Sequence, residues 1–130
     1  MDYDPSQLPE FIPDDLSPGE LDRLTTALAN EVAKLSRAVG TAHVDMKLKD
    51  GGYKKALAAA VVLNKDMGTP TIVKCIAEQE HTVLAAAGIC QQAEALYLML
   101  KAELDGREAQ YQAAKKLVDL KVQEIRSFRG

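Results

Sequence analysis

The chain contains no tryptophan, only two phenylalanines in 130 residues, and no proline after Pro70. Without large aromatic side chains, a core must be assembled from aliphatic and small residues, each burying less area than an aromatic ring. Without proline, nothing in the last sixty residues forces a helix to stop. Cysteine is equally sparse: Cys75 and Cys90 stand fifteen apart within one predicted helix. At 1.5 Å per residue they are about 22 Å from each other, too far to bridge. They are therefore expected to be free, buried thiols of a reducing, cytoplasmic compartment. No uninterrupted apolar run exceeds Ala56 to Leu63, well short of the ~20 residues of a membrane span. The opening MDYDPSQLPE is acidic where a secretory leader would be cationic. Neither membrane insertion nor secretion is expected.

Motifs of catalysis are missing as well. Asp50-Gly51-Gly52-Tyr53 lacks the Gly-x-x-x-x-Gly-Lys-Ser/Thr spacing of a phosphate loop. His43, Cys75, His81 and Cys90 do not fall into zinc-ligand spacing. Cys90 comes near His43 in an antiparallel register, but a thiol–imidazole pair needs an oxyanion hole and a pocket before it is catalytic. Glu78 and His81 form one Glu-x-x-His pair, which on a continuous helix puts carboxylate and imidazole on one face. Di-iron bundles need that pair twice, with further carboxylates on neighbouring helices. The expectation is no catalytic residue, no metal, no cofactor and no enzymatic activity.

Helix is what the sequence does contain. Residues 1–16 hold Pro5, Pro9 and Pro13, five acidic residues and no basic one. That composition predicts an extended acidic N-terminal arm rather than a helix. Leu8, Phe11, Ile12 and Leu16 give the arm an apolar side, so it is either a disordered tail or a segment that docks on this chain or a neighbour. Ser17-Pro18-Gly19-Glu20 then reads as a capping box, with Ser at the N-cap, Pro at N1 and Glu at N3. Leu21, Leu24, Leu28, Leu35, Ala38, Ala42 and Met46 follow at threes, fours and sevens, with Glu31 interrupting the seam. This is the spacing of an amphipathic helix tending toward coiled coil.

Asp50-Gly51-Gly52 predicts a break, because two adjacent glycines cost a helix ~2 kcal/mol relative to Ala. Helix resumes from Tyr53 to Met67, with Tyr53, Leu57, Ala60, Val61 and Asn64 on one side. Gly68 reads as a residue just past its end, and Thr69 or Thr71 beside Pro70 as a new N-cap. From Pro70 a last helix carries Tyr97, Leu104, Tyr111, Val118 and Ile125 at one seam position. Leu100, Ala114 and Phe128 hold the other, with Arg107 and Lys121 intruding. If neither Gly88 nor Asp105-Gly106 breaks this helix, it is nearly 90 Å long at 1.5 Å per residue, which no compact 130-residue globule accommodates. Either the chain bends at Gly106 into a compact bundle, or it forms an extended hairpin that assembles with its own copies. A turn near Gly68 makes the two arms antiparallel, with residue i facing roughly residue 137 − i.

All 16 basic residues lie at or beyond Arg23, whereas seven of the 19 acidic ones precede it. Lys47, Lys49, Lys54 and Lys55 surround the double glycine, and Tyr53 stands among them able to stack. A basic elbow there could hold nucleic acid or a phosphorylated ligand, with Lys47, Lys49, Tyr53, Lys54 and Lys55 as contacts. Against this, an isoelectric point near 5.4 has the wrong sign for a dedicated nucleic-acid binder. Solvated lysines are the plainer reading.

Gly52-Tyr53-Lys54-Lys55-Ala56, Gly68-Thr69-Pro70-Thr71, Ala77-Glu78 and Tyr111-Gln112-Ala113-Ala114-Lys115-Lys116-Leu117, leading to Arg126-Ser127-Phe128-Arg129, form a layout spanning about residues 20–129. It resembles small, uncharacterised helical proteins of tailed bacteriophages, often encoded near replication and recombination genes. Ile72-Val73-Lys74-Cys75 departs from that pattern, being apolar and basic where acidic residues are expected. The resemblance implies an accessory role and supplies no site residues.

The expected protein is thus all-α: an antiparallel long-helix hairpin or small helical bundle over residues 17–130, behind the arm of residues 1–16. Its expected work is non-enzymatic, through self-association and contact with a protein partner. Leu21, Leu24, Leu28, Leu35, Tyr97, Leu100, Leu104, Tyr111, Val118, Ile125 and Phe128 form the expected seam. That seam serves as the domain's own core, as an oligomer surface, or as both. The alternative is a nucleic-acid or nucleotide-binding module at the lysine elbow.

Overall fold

The computed structural model describes residues 8, 12 and 16–129, and among them there are three helices and no strand: α1 (Pro18–Leu63), α2 (Pro70–Glu78) and α3 (His81–Arg129). The fold is an all-α small helical bundle. Two compact units partition it, Met1–Ala38 with Lys101–Gly130, and Val39–Leu100. Both α1 and α3 contribute to each unit.

Local chemistry explains the helix starts. The Glu20 amide donates to Ser17 Oγ at 3.2 Å, and the Ser17 hydroxyl in turn donates to Glu20 Oε1 at 2.9 Å. The first half of the capping box is therefore present, while the Glu20 carboxylate turns to the serine hydroxyl instead of a backbone amide. Thr69 caps α2 from an extended conformation, accepting from the Ile72 amide at 3.4 Å, with Pro70 in the first turn. Before it, Gly68 adopts φ 152°, where an added Cβ would lie 3.0 Å from Ile72 Cγ2. Glycine is needed at that turn.

The expected break at residues 50–52 does not exist: α1 runs through Asp50-Gly51-Gly52 without interruption. Two glycines weaken a helix, but the helix formers on either side and the apolar side of α1 packed within the second unit outweigh them. Likewise α3 continues through Gly88 and Gly106, so the bend considered at Gly106 is absent. Helix α1 stops at Leu63, earlier than Met67, where the Asn64 amide and its side-chain Nδ2 both donate to the Ala60 carbonyl, at 3.1 and 2.8 Å. A break the sequence did not announce falls at Gln79–Glu80. There Gln79 (φ −89°, ψ −6°) closes α2 through its amide to the Ile76 carbonyl, and Asn64 Nδ2 reaches across to Glu80 Oε1 at 3.1 Å. No glycine or proline marks that stop, and it costs little hydrogen bonding because Glu80 N and Leu84 N remain bonded to Ala77 O and Glu80 O.

In the first unit, Leu21, Leu24, Leu28 and Leu35 of α1 are buried, and Leu24 and Leu28 share a core with Ala114 of α3 and Leu8 of the arm. Ile12, Leu16, Ala27 and Tyr111 close around it. The Lys121 ammonium donates to the Leu16 carbonyl, so α3 numbers fall as α1 numbers climb and the helices are antiparallel. At its three described apolar positions, Leu8, Ile12 and Leu16, the arm docks on its own unit; the other arm residues lie outside the described set.

In the second unit the buried set is smaller in volume: Ala42, Ala60, Val73, Ala77, Val83 and Ala93. Ala60, Ala77 and Val83 join the three helices, with Tyr53, Ala56, Leu57 and Val61 against them. His43 meets Tyr97 with ring centroids 5.3 Å apart, and Asn64 meets Glu80, so here too α1 and α3 run antiparallel.

Candidate interaction surface

Most of the expected seam is used inside the chain. Leu21, Leu24, Leu28 and Leu35 are buried, Ala114 is wholly so, and Tyr97, Leu100, Leu104, Tyr111 and Val118 are half-buried. Ile125, expected in the same seam, is 45 % exposed; the side chain of Phe128 lies outside the described set. Glu31, read as an interruption, is buried at the seam's level in the first unit. No buried side-chain nitrogen or oxygen among the described residues lacks a hydrogen-bond partner.

The lysine elbow is a helical face instead, since Gly51 and Gly52 lie inside α1 and present no loop amides to a phosphate. Lys47, Lys49, Lys54 and Lys55 are exposed. Two of them have carboxylates one turn away: Lys49 is 3.8 Å from Asp45, and Lys54 is 3.0 Å from Asp50. Tyr53 packs against the Ala60–Ala77–Val83 cluster and is half-buried.

Glu78 and His81 do not share a helical face, because α2 ends at Glu78 and α3 begins at His81. Among the described residues, no three of His, Cys, Asp and Glu are grouped so as to hold a metal ion. Both cysteines are free. They occupy two helices rather than one, and Cys75 is exposed while Cys90 is half-buried. The expectation of buried thiols fails for Cys75, because the Val73–Ala77 side of α2 faces the core and Cys75 falls off that side. An open hollow of about 480 Å³ in the first unit is lined by Leu8, Glu103, Gly106, Arg107, Ala109 and Gln110. Arg107 Nη1 there donates to Gln110 Oε1 at 2.8 Å. The hollow brings together no nucleophile and base.

Beyond the expected seam, a second set of apolar residues lies on the outside. Of the fourteen large hydrophobic side chains exposed among the described residues, eleven belong to the second unit, among them Leu48, Leu63, Ile89, Leu96, Leu98 and Met99. The signal was available: Ala85, Ile89, Gln92, Leu96 and Met99 recur at fours and threes, as a helical stripe does. It stayed hidden because the heptad through Tyr97 and Leu104 absorbed the apolar pattern first. An 18-residue window of α3 reaches a mean hydropathy of 1.4 with 11 % of it buried. By length and composition alone this helix could cross a membrane, although polar residues interrupt its apolar runs. Gln91, Gln92 and Glu94 nevertheless lie within its most apolar part, between Val83 and Leu100, and a carboxylate at that depth is costly. Comparison with protein-family models, with curated proteins and with solved structures gave no match.

Proposed function

We propose that this protein is a non-enzymatic helical assembly module, acting through contacts with other protein chains and first of all with itself. The observation that carries this reading is the concentration of exposed large apolar side chains in the second unit. Water-exposed Leu, Ile and Met at that density mark contact surfaces rather than ordinary solvent faces. The absence of a nucleophile–base pair in the described hollow and of a metal-ligand cluster among the described residues is in keeping with a role without chemistry of its own. Two free cysteines support a reducing, cytoplasmic setting. The resemblance of the layout around Tyr53 and Tyr111 to tailed-bacteriophage accessory proteins is what supports a phage context, with a phage or host protein as further partner.

The test is sedimentation at micromolar concentration. We expect a species heavier than one chain, shifting to monomer when Leu48 and Met99 are both replaced by Glu. A wild-type chain that sediments as a monomer across that range would overturn the self-association. Nucleic-acid binding through Lys47, Lys54 and Lys55 remains the competing outcome, read as affinity for DNA that falls steeply with salt.

A further inference from the structure

In the second unit His43 and Tyr97 meet on one flank of the α1–α3 pair. At 100° per residue, Thr41, Leu48, Gly52 and Ala59 lie about 140–180° around α1 from His43. The stripe of Ala85, Ile89, Gln92, Leu96 and Met99 centres about 120° around α3 from Tyr97. The two sets therefore share the opposite flank. Leu48 is 69 % exposed, Met99 60 %, Ile89 50 % and Leu96 46 %, while Leu63 at the end of the same flank is 82 % exposed. At roughly 100 Å² each, Leu48, Ile89, Leu96 and Met99 contribute about 400 Å², and the smaller residues between them extend the flank toward the ~800 Å² per partner of a standard protein interface.

We infer, resting on the assembly reading above, that this flank seats a second copy of the chain about a two-fold axis crossing α1 near Asp50 and α3 near Gln92. The contacts His43–Tyr97 and Asn64–Glu80 fix the register within the unit; interpolating between them sets residue 50 beside residue 91 or 92. An axis at that level pairs large against small on both helices. Leu48 meets Gly52 of the second copy, Thr41 meets Ala59, Ala85 meets Met99, and Ile89 packs between Ala95 and Leu96. Gln92 meets its own copy, where two amides can bond reciprocally. Charge agrees, since Asp45 meets Lys55 of the second copy.

The same axis accounts for Gly52. This glycine weakens the interior of a long helix, and a Cβ placed on it would meet nothing within 4 Å in its own chain, as at Gly51, Gly88 and Gly106. The close approach of Leu48 from the second copy supplies the missing reason. A self-complementary patch of this kind closes as a dimer instead of propagating.

Gly52→Leu separates assembly from folding, because leucine favours helix and the site is open within the chain. We expect unchanged or increased helicity by circular dichroism and a dimer dissociation constant raised at least tenfold by sedimentation. With Cys75→Ser and Cys90→Ala in place, Gln92→Cys should crosslink two chains on mild oxidation and Ala85→Cys should not. Ala85→Cys crosslinking as readily as Gln92→Cys would overturn the axis, as would Gly52→Leu leaving the dissociation constant unchanged. An oligomer in which Gln92→Cys stays reduced would sink the axis and keep the assembly reading; a wild-type monomer up to about 100 μM would sink both. A monomer that floats with phosphatidylglycerol–phosphatidylcholine vesicles would assign the flank to a lipid surface and overturn the proposal.

Discussion

Both units draw on α1 and α3, the second adding α2, yet they place side-chain volume in opposite ways. In the first, leucines sit inside: Leu8, Leu21, Leu24, Leu28 and Leu35 are buried, and among the described residues Leu120, Val122 and Ile125 are the exposed large hydrophobics. In the second, four of the six buried side chains are alanine and eleven large hydrophobics face out. A buried Leu contributes ~1.5–3 kcal/mol over leaving it in water, whereas Ala contributes far less. The described part of the first unit thus draws its core from α1, α3 and the arm, and the second leaves large apolar side chains exposed. The difference teaches that apolar content by itself does not say where a helix pair is finished.

The comparison can be broken most decisively at the leucines. Leu24→Ala, at a position 1 % exposed, should cost about 3 kcal/mol or more in denaturant titration, as buried Leu truncations do. In the second unit Val83→Ala, also at 1 % exposure, removes two methyl groups and should cost about 1.5 kcal/mol. Equal losses at the two positions would show that the second unit has a core as substantial as the first.

Smaller effects sharpen the boundary between them. Thr69→Ala removes the hydroxyl that accepts from Ile72 N and should destabilise by about 1 kcal/mol. Hydrogen exchange should report that loss at the start of α2 and leave the first unit's amides unchanged. Gly51→Ala and Gly106→Ala should each add up to about 1 kcal/mol of helix stability, since an added Cβ meets nothing within 4 Å at either site. A loss at Gly106 would reveal a contact on the first unit that its own side chains do not explain. Lys54→Gln, breaking an exposed pair with Asp50, should change stability by no more than about 0.5 kcal/mol.

Signals carried by single residues were legible before the fold was known. Ser17, Pro18 and Glu20 announced the start of α1, and Thr69-Pro70 the start of α2, because a cap is chemistry between a side chain and an amide two or three residues away. The antiparallel sense was legible from a turn near Gly68, and the contact of Leu16 with Lys121 falls on the expected register. In the second unit, where α2 intervenes, the contacts His43–Tyr97 and Asn64–Glu80 depart from it. Signals depending on competition were not. Two glycines looked sufficient to end α1, but their penalty of ~1 kcal/mol each is smaller than what packing along a long apolar side returns. Conversely, nothing in Gln79-Glu80 looks like a stop, and the break there goes with the hydrogen bond from Asn64, sixteen residues away, to Glu80.

The candidate surface divides in the same way. The heptads through Leu24 and Tyr111 could be read from the sequence as apolar seams, yet whether a seam faces its own chain or another is a matter of partners, and partners are non-local. The stripe of Ile89, Leu96 and Met99 has the same periodicity as the buried seams and differs only in what lies opposite it. The sequence by itself determined that this protein is helical, where two helices begin, and that the helices carry apolar sides, because propensity, capping and periodicity act within one or two turns. Only tertiary structure decided which glycines bend the chain, that Leu21, Leu24, Leu28 and Leu35 are buried within the first unit, and that the second unit keeps its large apolar side chains on the surface. Burial depends on what stands across the gap, and no window along the chain contains that.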